Sequence, residues 1–256
     1  MSKTRKGLVA VCFVVIAAAV GYIAFYYTSL ARQKALAEQL REAASAASLP
    51  ANSEESAAAS TEPVSIPIDF AALQQQYPDI YAWIEIPGTE VNYPILRHPT
   101  DDRYYLDHNL DGSKGYPGCL FTESCDALDF SDFNTILYGH NMKDGTMFGG
   151  LKKYRDSAYL QEHREIIVYT PTEKRVYTVF AAVVYSDAYI SAKYDDGDLQ
   201  ARQAFLDSLD AARSINNQVL DDVAVTPDSQ IITLSTCIGG QPNNRYLIEA
   251  VYTDAE

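Results

Sequence analysis

A cysteine attacks a carbonyl as its thiolate, so the chemistry needs a thiol at an accessible place with a base or a cation beside it. In this chain of 256 residues, Cys237 closes the run Thr233-Leu234-Ser235-Thr236-Cys237. Ile231 to Leu234 are β-branched and apolar and predict a buried strand, which delivers the thiol at a strand end where Gly239-Gly240-Gln241-Pro242 opens a turn. The next apolar run, residues 245–252, begins with Arg245, so a hairpin would return a guanidinium beside the sulfur. Arginine is no base near neutral pH but donates several hydrogen bonds, which suits a developing oxyanion. The spacing is equally compatible with Arg245 in a salt bridge to a surface carboxylate, and the alternative for Cys237 is a small buried hydrophobe.

Histidine is the usual partner of a nucleophilic thiol, and there are four. His140 follows the apolar strand pattern Asn134-Thr135-Ile136-Leu137-Tyr138 through Gly139 and so stands at a strand end, as Cys237 does. His98 beside Pro99, His108 in a turn-like segment and His163 in a charged helical stretch read as surface residues. Position alone favours His140.

The other cysteines differ in setting. Cys12 lies in an apolar run and reads as inert. Cys119 and Cys125 can pair in an oxidising compartment if their Cβ atoms come within about 4 Å, and two independent thiols are the alternative. They lack Cys-x-x-Cys spacing, which argues against thiol-disulfide exchange, and no Cys/His set has zinc-finger spacing. The cluster Asp195-Asp196-Gly197-Asp198 reads as the start of a helix rather than a calcium site, so no metal and no cofactor is expected.

Net charge is −14, which speaks against a nucleic-acid partner. Met1 to Lys6 is basic through Lys3, Arg5 and Lys6, and beyond residue 30 there are 17 basic residues against 34 acidic ones. Residues 7–30 carry no charge, a length of about 24 residues that suffices to cross a hydrocarbon core of roughly 30 Å. Tyr22, Phe25, Tyr26 and Tyr27 form an aromatic belt at its far end, which favours an uncleaved membrane anchor over a signal peptide. The basic end then stays in the cytoplasm and the bulk of the chain lies outside the cell.

The organisation expected is a basic tail and anchor over 1–30, a helical stalk and flexible linker over 31–67, and a folded domain over 68–256. Within the domain, Asp69 predicts the cap of a short helix ended by Pro78, and residues 81–86 and 91–96 flank the turn Pro87-Gly88-Thr89-Glu90 as a hairpin whose Pro94 lies at an edge or bulge. Further strands are predicted over 118–122, 134–138, 165–170 and 174–185, a pattern of short strands that suits a barrel or a sandwich. Two helical insertions interrupt it, one over Met147 to Tyr159 and an amphipathic one over 198–214.

Thr233 to Cys237 with Arg245 downstream and Leu137-Tyr138-Gly139-His140-Asn141-Met142 upstream resemble the signature of the sortase family. The extra helix before the cysteine strand and the Tyr-Gly-His-Asn-Met form are similar to class B sortases, and the likeness covers residues 68–254. The resemblance implies a mostly β fold, a closed eight-stranded barrel with accessory helices after an N-terminal transmembrane helix. It implies Cys237 as nucleophile, His140 as general acid/base and Arg245 as transition-state donor, with Ser235 and Thr236 lining the substrate groove. The reaction implied is transpeptidation. A sorting signal resembling Asn-Pro-x-Thr-x is cut after its threonine, a thioacyl enzyme remains, and an amine of cell-wall peptidoglycan takes the acyl group. The partners implied are surface proteins bearing that signal. Two other readings remain open at this point, a cysteine peptidase or amidase that uses water, and a non-catalytic surface ectodomain.

Overall fold

The computed structural model describes residues 3–46, 66–215 and 217–255. Contacts divide the chain into two units, Met1–Leu40 and Arg41–Glu256. Helix α1 runs Lys3–Ala46, 44 residues, or about 66 Å at 1.5 Å per residue. Its stretch Gly7–Ala43, whose most apolar 18 residues have a mean hydropathy of 2.7, is long and apolar enough to cross a membrane. Most of the expected linker lies outside the described residues.

The second unit opens with α2 (Phe70–Gln76), whose first turn is capped by the Asp69 carboxylate accepting from the Ala72 amide at 2.9 Å. Strands β1 (Ile80–Glu85) and β2 (Asn92–Leu96) form the expected hairpin, its turn passing through Gly88 at φ 75°. Pro94 stands opposite Trp83, while β3 (Leu120–Phe121) pairs β2 only through Ile95 and Leu96, so the missing amide of Pro94 costs the sheet no bond on that side. A short helix α3 (Tyr104–Asp107), with no signal in the sequence, lies between β2 and β3. Strand β4 (Asn134–Tyr138) occupies the residues predicted for it.

The helix expected over Met147 to Tyr159 is two shorter pieces. Met147 adopts φ 53° and bridges back to Asn141, a 3₁₀ turn follows over Leu151–Arg155, and α4 (Ser157–Glu162) starts afresh where Asp156 caps the Tyr159 amide. The apolar spacing there records burial of separate turns against the barrel. Strands β5 (Glu165–Tyr169) and β6 (Lys174–Ser186) follow, then α5 (Ile190–Lys193), α6 (Leu199–Ala211), β7 (Gln218–Val219), β8 (Ile231–Ile238) and β9 (Gln241–Ala255). Helix α6 is capped by Asp198 and buries Phe205 and Leu209, while Leu199, expected on that face, is exposed.

Eight strands close a ring in the order β5-β1-β2-β3-β4-β8-β9-β6, sealed by β5 pairing with β6. The ninth, β7, adds to β6 outside the ring. Alternation along β4, β8 and β9 sorts their side chains into two layers. Ile136, Ile231, Leu247 and Val251 pack against Phe205 and Leu209 of α6, while Leu137, Leu234 and Ile248 fall on the opposite face and are fully buried.

Candidate active site

The register of three neighbouring strands builds the site. Strands β4 and β8 run parallel with Tyr138 beside Ser235, so continuing each by two residues brings His140 and Cys237 to the same end of the sheet on the same face. Strand β9 returns antiparallel with Arg245 directly across from Cys237. Ile136, Tyr138 and His140, Ser235 and Cys237, and Arg245 and Leu247 accordingly line one groove of about 600 Å³. Its other wall comes from the loop around α3, with Asp102, Arg103 and Leu106, and from the start of the β6–β7 connection, with Tyr189 and Ile190.

Each of the three expected residues is held by a hydrogen bond that involves a backbone carbonyl. The thiol of Cys237 is free and exposed, and the Asn141 side-chain amide donates to the Cys237 carbonyl at 2.8 Å, tying the two strand ends together. His140 is half-buried, with Nε2 2.6 Å from the Leu106 carbonyl. A carbonyl accepts only, so Nε2 carries the proton and Nδ1 is left as the second functional nitrogen. The Tyr116 ring meets the imidazole edge-on at 4.9 Å. Arg245 donates from Nη1 to the carbonyls of Pro242 and Asn244, at 3.0 and 2.9 Å, which orients its fork while Nε and Nη2 remain for a ligand.

Ser235 and Thr236 both line the groove, and both are buried. The Thr236 hydroxyl donates to the Gly139 carbonyl at 2.7 Å, and the Gly139 amide to the Ser235 carbonyl at 3.2 Å. A side chain on Gly139 would run into Leu120 and Phe148, so this position accepts only glycine in the chain's present packing. These contacts fix the strand end from which His140 projects.

Sequence reasoning did not find Glu123 or Tyr189. Glu123 is 8% exposed in the groove wall, burial pushes its carboxyl up, and the Tyr189 hydroxyl donates to it. Neither lies on a strand or helix with a readable period. The remaining histidines have structural partners: His98 accepts the Asp101 amide, His108 lies beside Asp107, and His163 lies under the Pro87 carbonyl. Cys119 and Cys125 are free thiols, the first buried and pushed up by that burial, the second exposed.

Comparison with known proteins gives a concordant picture. The sortase-domain family model matches residues 84–253. Sortase B of Listeria monocytogenes is 35% identical over 168 residues, 64% of this chain and 65% of that protein, so the match falls just short of two thirds of the relative's length. Sortase B of Staphylococcus aureus is 34% identical over 172 residues, 66% of this chain and 67% of that protein. Among solved structures, Bacillus anthracis sortase B in complex with AAEK2 superposes with a TM-score of 0.71 at 27% identity, covering 88% of this chain and 97% of that one. The Staphylococcus aureus sortase B–substrate complex gives 0.65 at 30% identity over 75% and 87% of the two chains.

Proposed function

This chain belongs to the sortase family, a family of cysteine transpeptidases, and we propose that it is a membrane-anchored class B enzyme that joins surface proteins to a cell-wall amine. The Cys237 thiol gives its proton to His140, and the sulfur attacks the threonine's own carbonyl carbon in a sorting signal of the Asn-Pro-x-Thr-x kind. The tetrahedral oxyanion takes hydrogen bonds from the free N–H groups of Arg245, and loss of one such donor costs about 10²–10³ in rate. The C–N bond then breaks, and His140 gives a proton to the departing amine. A thioester between Cys237 and threonine remains. An amine of a peptidoglycan peptide attacks it, His140 takes the excess proton, and the thiol is restored.

The observation that carries this reading is the strand register: Cys237 beside Arg245 on β8 and β9, and His140 at the parallel end of β4, in one groove. Ser235 and Thr236 act there as groove wall, Thr236 mainly by holding Gly139. Residues 7–30 serve as a single membrane span with the N-terminus in the cytoplasm, residues 31–67 as stalk and linker, and residues 68–256 as the extracellular catalytic domain. A shared membrane raises the encounter rate of enzyme and substrate.

Incubating the full-length protein in detergent with a sorting peptide, with and without an added amine, tests the reading. The expected result is a peptide–amine conjugate that forms at the expense of the hydrolysed product. Hydrolysis indifferent to the amine would make the protein a peptidase.

A further inference from the structure

The outer wall of the groove comes from two connections, the loop around α3 and the start of the β6–β7 connection, and the short segment Thr122 to Ser124 after β3 joins them. Phe121 pairs with Tyr138 and β3 runs antiparallel to β4, so Glu123, two residues further on, comes level with Ile136. That level is four residues of strand, about 13 Å at 3.3 Å per residue, from the end that carries His140. Glu123 is thus a wall residue remote from the reacting atoms.

The joining segment has a fixed base. The Thr122 amide donates to the Leu96 carbonyl at 3.1 Å, and the Thr122 hydroxyl accepts from Arg97 at 3.1 Å. Next to Glu123, the Ser124 amide and hydroxyl both donate to the Asp102 carboxylate, at 2.7 and 3.0 Å, which ties the segment to the loop around α3. Glu123 itself accepts from the Tyr189 hydroxyl, which ties the segment to the other connection. Packing holds the Tyr189 side loosely. Residues 186–189 are exposed, the Asp187 amide donates to the Asn243 carbonyl at 3.0 Å, and Ile190 is the first residue to enter the core cluster that contains Phe205. Tyr189 is 47% exposed, so its place over the groove is set less by contact area than by the bond from its hydroxyl to a buried carboxyl.

We propose that Glu123 is a positioning residue for substrate binding: through the Tyr189 hydroxyl it clasps the β6–β7 connection to the loop around α3 and sets the groove to the width that a sorting signal fills. The proposal rests on the groove being the sorting-signal site. Without the clasp the connection adopts arrangements that do not fit the peptide, and the apparent affinity falls in proportion to the share of molecules that still fit it. The reacting atoms lie elsewhere, so KM rises and kcat is kept.

The test uses full-length protein in detergent and a fluorescent Asn-Pro-x-Thr-x peptide, with Kd measured on a Cys237→Ala background and KM and kcat on the wild-type one. Tyr189→Phe and Glu123→Ala each weaken binding about tenfold, and the two together weaken it no further, because both remove the same bond. Glu123→Gln keeps an oxygen for the Tyr189 hydroxyl and binds within about twofold of its parent. In turnover Tyr189→Phe raises KM about tenfold with kcat changed by less than about twofold, whereas a role in folding alone would lower Tm and kcat and leave KM in place. An unchanged Kd in Tyr189→Phe overturns the proposal. Losses that multiply to about a hundredfold in the pair overturn it too, since the two side chains would then meet the peptide separately. Glu123→Gln as damaging as Glu123→Ala likewise overturns it and makes charge the cause. Failure of the parent Cys237→Ala protein to bind the peptide at all would instead overturn the sorting-signal reading, and the clasp with it.

Discussion

At the scale of single residues, the proposed mechanism divides the work among three side chains by what each can donate or accept. The Arg245 fork is planar and two of its N–H directions are set by the carbonyls of Pro242 and Asn244, so in the proposed mechanism the oriented fork, and not charge alone, meets the oxyanion. Arg245→Lys keeps the charge and loses the fork, and kcat/KM for peptide cleavage is expected to fall about 10²-fold or more. Near-wild-type turnover would remove Arg245 from the oxyanion role. These residues were legible in the sequence because each sits at the end of an apolar strand pattern, where a side chain reaches solvent. Glu123 and Tyr189 were not, because both come from connections without periodicity.

At the scale of elements, the ends of β4 and β8 act as one unit. Gly139 lies between the Ser235 carbonyl and the Thr236 hydroxyl, with Leu120 and Phe148 where a side chain would go. Gly139→Ala therefore has to push apart packed apolar side chains, at a cost of about 1–3 kcal/mol, and it moves the segment that carries His140. The expected outcome is a lower Tm together with a loss of kcat larger than any change in KM, measured by thermal melting and steady-state kinetics. Thr236→Val leaves the Gly139 carbonyl without that bond and is expected to cost about 1–2 kcal/mol in denaturant unfolding. The strands were readable because their apolar runs are bounded by turn residues. The segment after His140 was not, since the apolar spacing of Met147, Leu151, Tyr154 and Tyr159 looks helical while a left-handed Met147 and an Asp156 cap break it into pieces.

At the scale of the whole molecule, the face between barrel and α6 holds a carboxyl that no charge balances. Glu249 is fully buried, burial pushes its carboxyl up to about 8, and its Oε2 lies 2.7 Å from the Thr233 hydroxyl. Thr233 has one proton for two acceptors, so a protonated Glu249 donating to Thr233, which in turn donates to Asn134, satisfies the chain of bonds. A carboxyl whose folded pKa lies above its unfolded value binds more protons in the native state between the two. Its contribution to stability is thus complete below about 4.5 and is lost as pH rises through 8. Glu249→Gln cannot titrate, so the Tm of the wild-type protein minus that of the variant is expected to fall between pH 5 and 9. Parallel Tm profiles would mean that Glu249 is charged in the fold. The barrel as a whole followed from the number and spacing of short strands together with the family resemblance, whereas the pairings of β1 with β5 and of β6 with β9 join strands far apart in the chain, which no local pattern encodes.

The central claim is that Cys237 carries the acyl half of a sorting signal. Intact-mass measurement of the full-length protein, acid-quenched after mixing with an Asn-Pro-x-Thr-x peptide, tests it most directly. The expected result is an adduct equal to the peptide through its threonine, located on Cys237 and absent from Cys237→Ala. An uncut peptide with no adduct, or an adduct that persists in Cys237→Ala, would contradict it.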